Sequence, residues 1–266
     1  MTPPHLLSIA GTDPSGGAGQ MADIKTFSAL GGFGTSVITA VLAQNTQGVQ
    51  QVLPMPIALI EQQLHSVFSD ISIDAVKIGM VADRKTATVL RHAIERYRPR
   101  HVVLDPVMVA KSGDTLVDEA GIAAVREMLV PIADVITPNL PEAAALLGCP
   151  QPTSLDAMEQ LLPALNALGP TAILLKGGHL QAPHSADLLY HNGVIEQLDA
   201  PRIDTRNLHG SGCTLASAIT ALLPQRESLS EAVHEAKHYM TRALEESARL
   251  NVGKGNGPAH HFWQWW

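Results

Sequence analysis

Short apolar runs alternate with helix-like stretches along almost the whole chain, and that rhythm narrows the possible folds more than any single motif does. Runs 6–10, 35–44, 75–79, 101–105, 134–139 and 172–176 read as buried strands. Between them, 22–30, 57–68, 83–97, 118–129, 141–147 and 154–168 read as helices, with Asp83 as a cap and Pro141 at a first helical position. Helices 214–223, stopped by Pro224, and 230–250 close the chain. Such alternation predicts an α/β fold with a mainly parallel sheet. The exception is 188–196, where Asn192-Gly193 predicts a hairpin added antiparallel at one sheet edge. With 266 residues, 45% of them hydrophobic, and no repeat or linker, residues 1–266 are expected to form a single domain.

In open α/β sheets, ligands bind outside the carboxyl ends of the strands. Here the strands end on Gly11, Gln44, Gly79, Asp105, Asn139 and Lys176. Asp105, Asn139, Glu142 and Lys176 should therefore gather at one rim, joined by the turn His209-Gly210-Ser211-Gly212-Cys213. A glycine turn feeding a helix N-terminus presents unpaired N–H groups and binds anions. Cys213 stands at its mouth, where a thiol pKa is expected to fall. Carboxylates beside an asparagine suit a hydrated Mg²⁺, and a lysine beside helix N–H groups suits phosphates. Together they predict phosphoryl transfer. No GxxxxGK[ST] and no GxGxxG after the first strand occur, so the usual nucleotide loops are excluded.

The formal net charge is −7 and no Lys/Arg run occurs, which argues against nucleic acid or an acidic membrane surface as the main partner. Two distant cysteines, Cys149 and Cys213, give no disulfide framework and fit a reducing cytoplasm. The N-terminal apolar run is too short for a signal peptide, and no apolar stretch approaches a membrane span.

Seven segments, in order, resemble one family: 8–19 (SIAGTDPSGGAG), 41–46 (VLAQNT), 103–108 (VLDPVM), 136–142 (ITPNLPE), 175–179 (LKGGH), 209–214 (HGSGCT) and 252–258 (VGKGNGP). The family is the hydroxymethylpyrimidine/phosphomethylpyrimidine kinases of thiamine biosynthesis, within the ribokinase-like superfamily. The resemblance implies a three-layer fold, often a homodimer, and two ATP-dependent phosphorylations of 4-amino-5-hydroxymethyl-2-methylpyrimidine, to the monophosphate and then the diphosphate. It implies Gln44 as the pyrimidine-reading amide, with Gly11, Asp23, Met80 and Val107 around the ring. A carboxamide's paired donor and acceptor suit an amino group beside a ring nitrogen. Asp105 and Glu142 are implied on the Mg²⁺ side, and Asn139 and Lys176 on the ATP phosphates, with His209 and Lys237 near the nucleotide. Gly210, Gly212 and Lys176 would surround the transferred group. Cys213 takes the place where most of the superfamily carries an aspartate base, and Ser211 stands where threonine is more familiar. Segment 110–115 resembles a flap over the pocket, and a monovalent-cation requirement stays open.

Pyridoxal kinase of the same superfamily is the rival reading, since pyridoxal also carries a ring nitrogen and a hydroxymethyl arm. His234-Glu-Ala-Lys-His238 matches HExxH and suggests a zinc hydrolase, although Thr241 stands where a metzincin has Gly and no third ligand follows at a metzincin position. A non-enzymatic sensor would need the pocket but neither Cys213 nor the two carboxylates. The aromatic tail 260–266 is expected to pack on the domain.

Overall fold

Side-chain alternation within the strands decides what lies above and below the sheet. The structure is a computed structural model, and it describes residues 2–108, 116–180 and 184–266. Six parallel strands form its middle: β1 (His5–Thr12), β2 (Phe33–Asn45), β4 (Ala75–Ile78), β5 (His101–Leu104), β6 (Val135–Ile136) and β7 (Ala172–Leu175). Leu7, Ile9, Val76, Ile78, Val102, Leu104, Ile136 and Ile173 face one side. There they meet α2 (Ile57–Asp70), α3 (Arg84–Tyr97), α4 (Glu119–Ala124), α5 (Leu140–Leu147) and α6 (Leu155–Asn166). Leu6, Ala75, Val103, Val135, Ala172 and Leu174 face the other side. That side is covered by α1 (Gly19–Ala29), α7 (Ser211–Leu222) and α8 (Leu229–Glu245). Most of these side chains are fully buried, each worth roughly 1.5–3 kcal/mol of apolar transfer. Three layers result.

The sheet is antiparallel at both edges. Asp187–His191 (β8) and Val194–Leu198 (β9) form the expected hairpin, with Asn192 at φ 53° and Gly193 at φ 77° making its tight turn. Gly48–Pro54 (β3) pairs antiparallel with β2 at the opposite edge, an addition the sequence did not announce. Five of its seven residues, Gln50–Pro54, are exposed, so no apolar alternation marks it. Among the described residues the strand order is β3-β2-β1-β4-β5-β6-β7-β8-β9.

Several boundaries move for local reasons. Helix α1 begins at Gly19 rather than 22, because Gly19, at φ 57°, packs against the Gly11 carbonyl, which a Cβ would meet at 2.4 Å. The expected helix 118–129 is regular only through Ala124, then widens into a π-turn over Val125–Leu129 ahead of Pro131. Strand β6 has two residues, because Asn139 already caps α5 and Pro141 takes its second position. Helix α8 tightens into a 3₁₀ turn after Glu245. In the aromatic tail, Phe262 and Trp263 pack on the α7–α8 layer, whereas Trp265 and Trp266 are exposed.

Candidate active site

The carboxyl ends of β1, β2, β4, β5, β6 and β7 open on one cavity of about 640 Å³. One end is apolar: Leu42, Met80, Val107 and Val117 line it, and Gln44 of β2 and Gly11 of β1 also belong to the lining. The other end is charged. Lys176, next after β7, places Nζ 3.0 Å from Asp105 Oδ1 and 4.0 Å from Glu142 Oε2. Thr137 also donates to Asp105 Oδ1, at 3.0 Å. Asp105 Oδ2 is buried with no hydrogen-bond partner, an acceptor aimed at this cluster and left for a ligand. Burial pushes the Glu142 carboxyl up to about 7, with Asp105 adding to the shift and Lys176 opposing it. Burial pushes the Lys176 ammonium down, but Asp105 and Glu142 outweigh it and hold that pKa above the lysine value. Two buried carboxylates, one of them with an unpartnered oxygen, offer acceptors that suit a hydrated divalent ion.

The turn 209–213 lies against this cluster. A Cβ on Gly212 would sit 3.3 Å from Lys176 Nζ and 3.7 Å from Asp105 Oδ2, so the backbone at the start of α7 borders both groups directly. Gly210 has φ 70°, and a Cβ there would fall 1.8 Å from the Gly17 carbonyl. Only glycine fits, in conformation and in space. The start of α7 has no side-chain cap, and Gly210, Ser211, Gly212 and Cys213 line the cavity.

Asp13 ties this turn to the loop after β1. Its carboxylate accepts from the Ser15, Gly17 and Ala18 N–H groups and lies 2.6 Å from His209 Nε2. Burial pushes Asp13 up, but His209 and Ser15 outweigh it and hold its carboxyl below the ordinary value. His209, placed near the nucleotide by resemblance, therefore spends Nε2 on Asp13 and holds the turn from behind. Asp13 lies within segment 8–19, and the resemblance assigns it no role. An aspartate followed by Pro-Ser-Gly-Gly was the available signal, since such carboxylates collect nearby N–H groups.

Several expectations change. Asp23, expected around the ring, is fully buried beneath the cavity and absent from its lining. Both of its oxygens lie 3.0 Å from Lys77 Nζ, and it also accepts from Ser8 and Ser217. Cys213 lines the cavity, but its thiol does not fall: burial pushes it up to about 11. Lys77 and the Gly19 N–H pull it back only in part, while Asp23 and Asp105 push it further up. At neutral pH it is a thiol. Asn139 Oδ1 accepts from the Glu142 N–H while Glu142 Oε2 accepts from the Asn139 N–H, a reciprocal cap of α5 that also aims both side chains at the cavity. Lys237 lines the far wall with Nζ 2.6 Å from Asp187 Oδ2. The flap 110–115 lies outside the described residues.

The zinc motif dissolves in the fold. His234 and His238 are exposed on α8, His234 bonds Glu196, and Glu235 pairs with Arg226. Among the described residues, no three His, Cys, Asp or Glu side chains converge as a metal group would need.

With no P-loop, the α7 N-terminus and Lys176, at the carboxyl ends of a parallel sheet, are suited to hold phosphates. Fold and site define a ribokinase-like kinase. A family model described as phosphomethylpyrimidine kinase matches residues 13–260. The hydroxymethylpyrimidine/phosphomethylpyrimidine kinase of Salmonella typhimurium is 50% identical over 98% of both chains. Among solved structures, the phosphomethylpyrimidine kinase of Clostridium difficile is 40% identical with a TM-score of 0.80, covering 90% of this chain and 99% of that one. The ADP complex of Bacillus subtilis pyridoxal kinase is 35% identical with a TM-score of 0.90, covering 97% of both chains. The chain belongs to the phosphomethylpyrimidine kinase family, and it is a phosphotransferase.

Proposed function

We propose that this chain transfers the γ-phosphoryl group of ATP to 4-amino-5-hydroxymethyl-2-methylpyrimidine and then to the resulting monophosphate, in thiamine biosynthesis. The observation that carries the reading is the two-ended cavity. An amide set among apolar residues suits a methylated aminopyrimidine at one end. A helix N-terminus, a lysine and two carboxylates suit ATP phosphates at the other.

In the first step the alcohol oxygen attacks the γ-phosphorus, the bond to the β,γ-bridging oxygen breaks, and ADP leaves. The N–H groups of Gly210, Gly212 and Cys213 and the Lys176 ammonium stabilise charge on the moving group. The alcohol's proton passes to Cys213 Sγ, which accepts it in the ionised fraction of that thiol. In the second step the nucleophile is a phosphate oxygen, already anionic, and needs no base. Asp105 and Glu142 would hold a hydrated Mg²⁺, which supplies neutralisation of the triphosphate, and Asn139 Nδ2 would reach a phosphate oxygen. We further assign the chain one domain, a cytoplasmic setting and a homodimer. The exposed Val41, Val52 and Leu53 on the β2–β3 edge support the last of these. No helix among the described residues is long and apolar enough to cross a membrane.

The test is ATP consumption with the pyrimidine alcohol, its monophosphate and pyridoxal, side by side. Turnover of both pyrimidines at higher kcat/KM than pyridoxal is expected. Preference for pyridoxal, or no turnover of the monophosphate, overturns the assignment.

A further inference from the structure

Strand β4 reads Ala-Val-Lys-Ile, and its lysine is fully buried in the middle of the sheet. Register places Lys77 beside Ser8 on β1 and Val103 on β5, on the α1–α7 side. Its ammonium meets both oxygens of Asp23 on α1. Asp23 is also bonded by Ser8 and by Ser217, and Ser217 lies on α7 one turn beyond Cys213. A residue four positions on shares a helix face, so Cys213 and this network lie on the same side of α7. Lys77 nevertheless lines the cavity together with Cys213, and a Cβ on Gly79 would fall 2.9 Å from its Nζ. A buried ion pair is costly to assemble and is weak evidence of stabilisation. The phosphoryl-transfer steps described above give it no task.

We propose that Lys77, anchored by Asp23, is a positioning cation for Cys213, setting how readily that thiol loses its proton. The charged groups facing Cys213 are Lys77 on β4, Asp23 on α1, Asp105 after β5 and Lys176 after β7. Of these, Lys77 gives the largest opposition to burial at the thiol. Burial works against the Lys77 charge too, but Asp23, Cys213 and Asp105 together outweigh it and hold that ammonium above the ordinary lysine value. The proposal rests on reading Cys213 as the alcohol's base, and its test reads the thiol itself.

The two members of the pair have opposite signs, and a merely structural role would not distinguish them. The measurement is the rate of Cys213 alkylation by iodoacetamide at pH 8.5, followed by peptide mass, with Cys149 in the same molecule as control. Asp23→Asn removes a negative charge and should speed alkylation about tenfold, the effect of about one pH unit in the thiol. Lys77→Met should slow it by about the same factor. Because Lys77→Met strands a buried carboxylate, Lys77→Met/Asp23→Asn is compared with Asp23→Asn; there too, loss of the cation should slow the reaction. Shifts of the same sign in both single variants, or no difference between the double variant and Asp23→Asn, overturn the proposal. So does acceleration at Cys149 matching that at Cys213, which would report a loosened fold. If alkylation follows the expected order while single-turnover phosphorylation of the alcohol does not, the base reading fails and the hold of Lys77 on Cys213 stands.

Discussion

A carboxamide at the end of β2 offers a donor and an acceptor to a wall otherwise built of Leu42, Met80, Val107 and Val117. Gln44→Leu would leave both polar partners on the ring unpaired, a loss of roughly 1–3 kcal/mol. Titration calorimetry should show the pyrimidine Kd weakened and the nucleotide Kd nearly unchanged; equal losses would place Gln44 elsewhere. Asp105 and Glu142 make a different claim. Removing either leaves fewer negative groups for a hydrated ion, so the Mg²⁺ giving half-maximal rate should rise in Asp105→Asn and Glu142→Gln. An unchanged Mg²⁺ dependence in both variants moves the metal away from this rim. For Cys213, the raised thiol pKa of about 11 makes pH a probe. The ionised fraction rises about tenfold per pH unit below that value, so the alcohol step should climb from pH 7 to 9. Phosphorylation of the monophosphate, whose second ionisation lies near pH ~6, should stay level. Cys213→Ala should slow the alcohol step by about 10²-fold and the second step far less, as read by single-turnover kinetics. Equal losses in both steps would leave Cys213 without a base role.

At the scale of elements, the start of α7 is built from backbone, and both steps depend on it. Gly210→Ala forces a Cβ into the Gly17 carbonyl and so displaces the donors that follow. Both single-turnover rates should fall together by about 10²-fold or more, the cost of a lost oxyanion donor. A loss confined to the alcohol step would show that these N–H groups do not hold the moving phosphoryl group. This element was legible in the sequence, because two glycines beside a small-residue helix leave few geometries open. The same holds for the β8–β9 turn at Asn192-Gly193 and for the rim that gathers Asp105 and Lys176. Strand β3 was not legible, since a polar edge strand is set by pairing with β2 and not by burial. The π-turn after Ala124 was hidden for a similar reason: its residues keep a helical pattern, and the wider turn departs from it only in the backbone. Cys213 was misjudged because position at a helix N-terminus is visible in sequence, whereas the degree of burial and the facing Asp23 and Asp105 are not. Lys77 did leave a mark, a charge inside an apolar strand, but its partner lies 54 residues away.

Across the whole molecule, the tail returns to the layer that carries the site. His261 is 4% exposed, with Nε2 3.1 Å from Thr214 Oγ1, and Tyr239 donates to its carbonyl. Thr214 already donates its hydroxyl to Gly210 O, at 2.9 Å, so the imidazole must donate through Nε2. Burial pushes His261 down to about 3, aided by Lys25, His260 and His209, so the folded chain keeps the ring neutral. The unfolded chain takes up a proton near the ordinary value of 6.5, and the folded one does not. Stability is therefore lost as pH falls from about 6.5 toward 3. Glu142 acts in the opposite sense: its raised pKa favours folding at low pH, and that contribution is lost as pH rises through about 7. His261→Gln keeps a donor for Thr214 and removes the titration, while leaving Glu142 in place. Urea unfolding of wild type and variant should therefore diverge below pH 6.5, with wild type losing about 2 kcal/mol more by pH 5, some 1.5 pH units at about 1.4 kcal/mol each. Between pH 7 and 8 the gap between the two should be constant. Parallel pH profiles from 7.5 to 5 would mean that His261 is protonated within the fold, and that the tail is not closed over it as described.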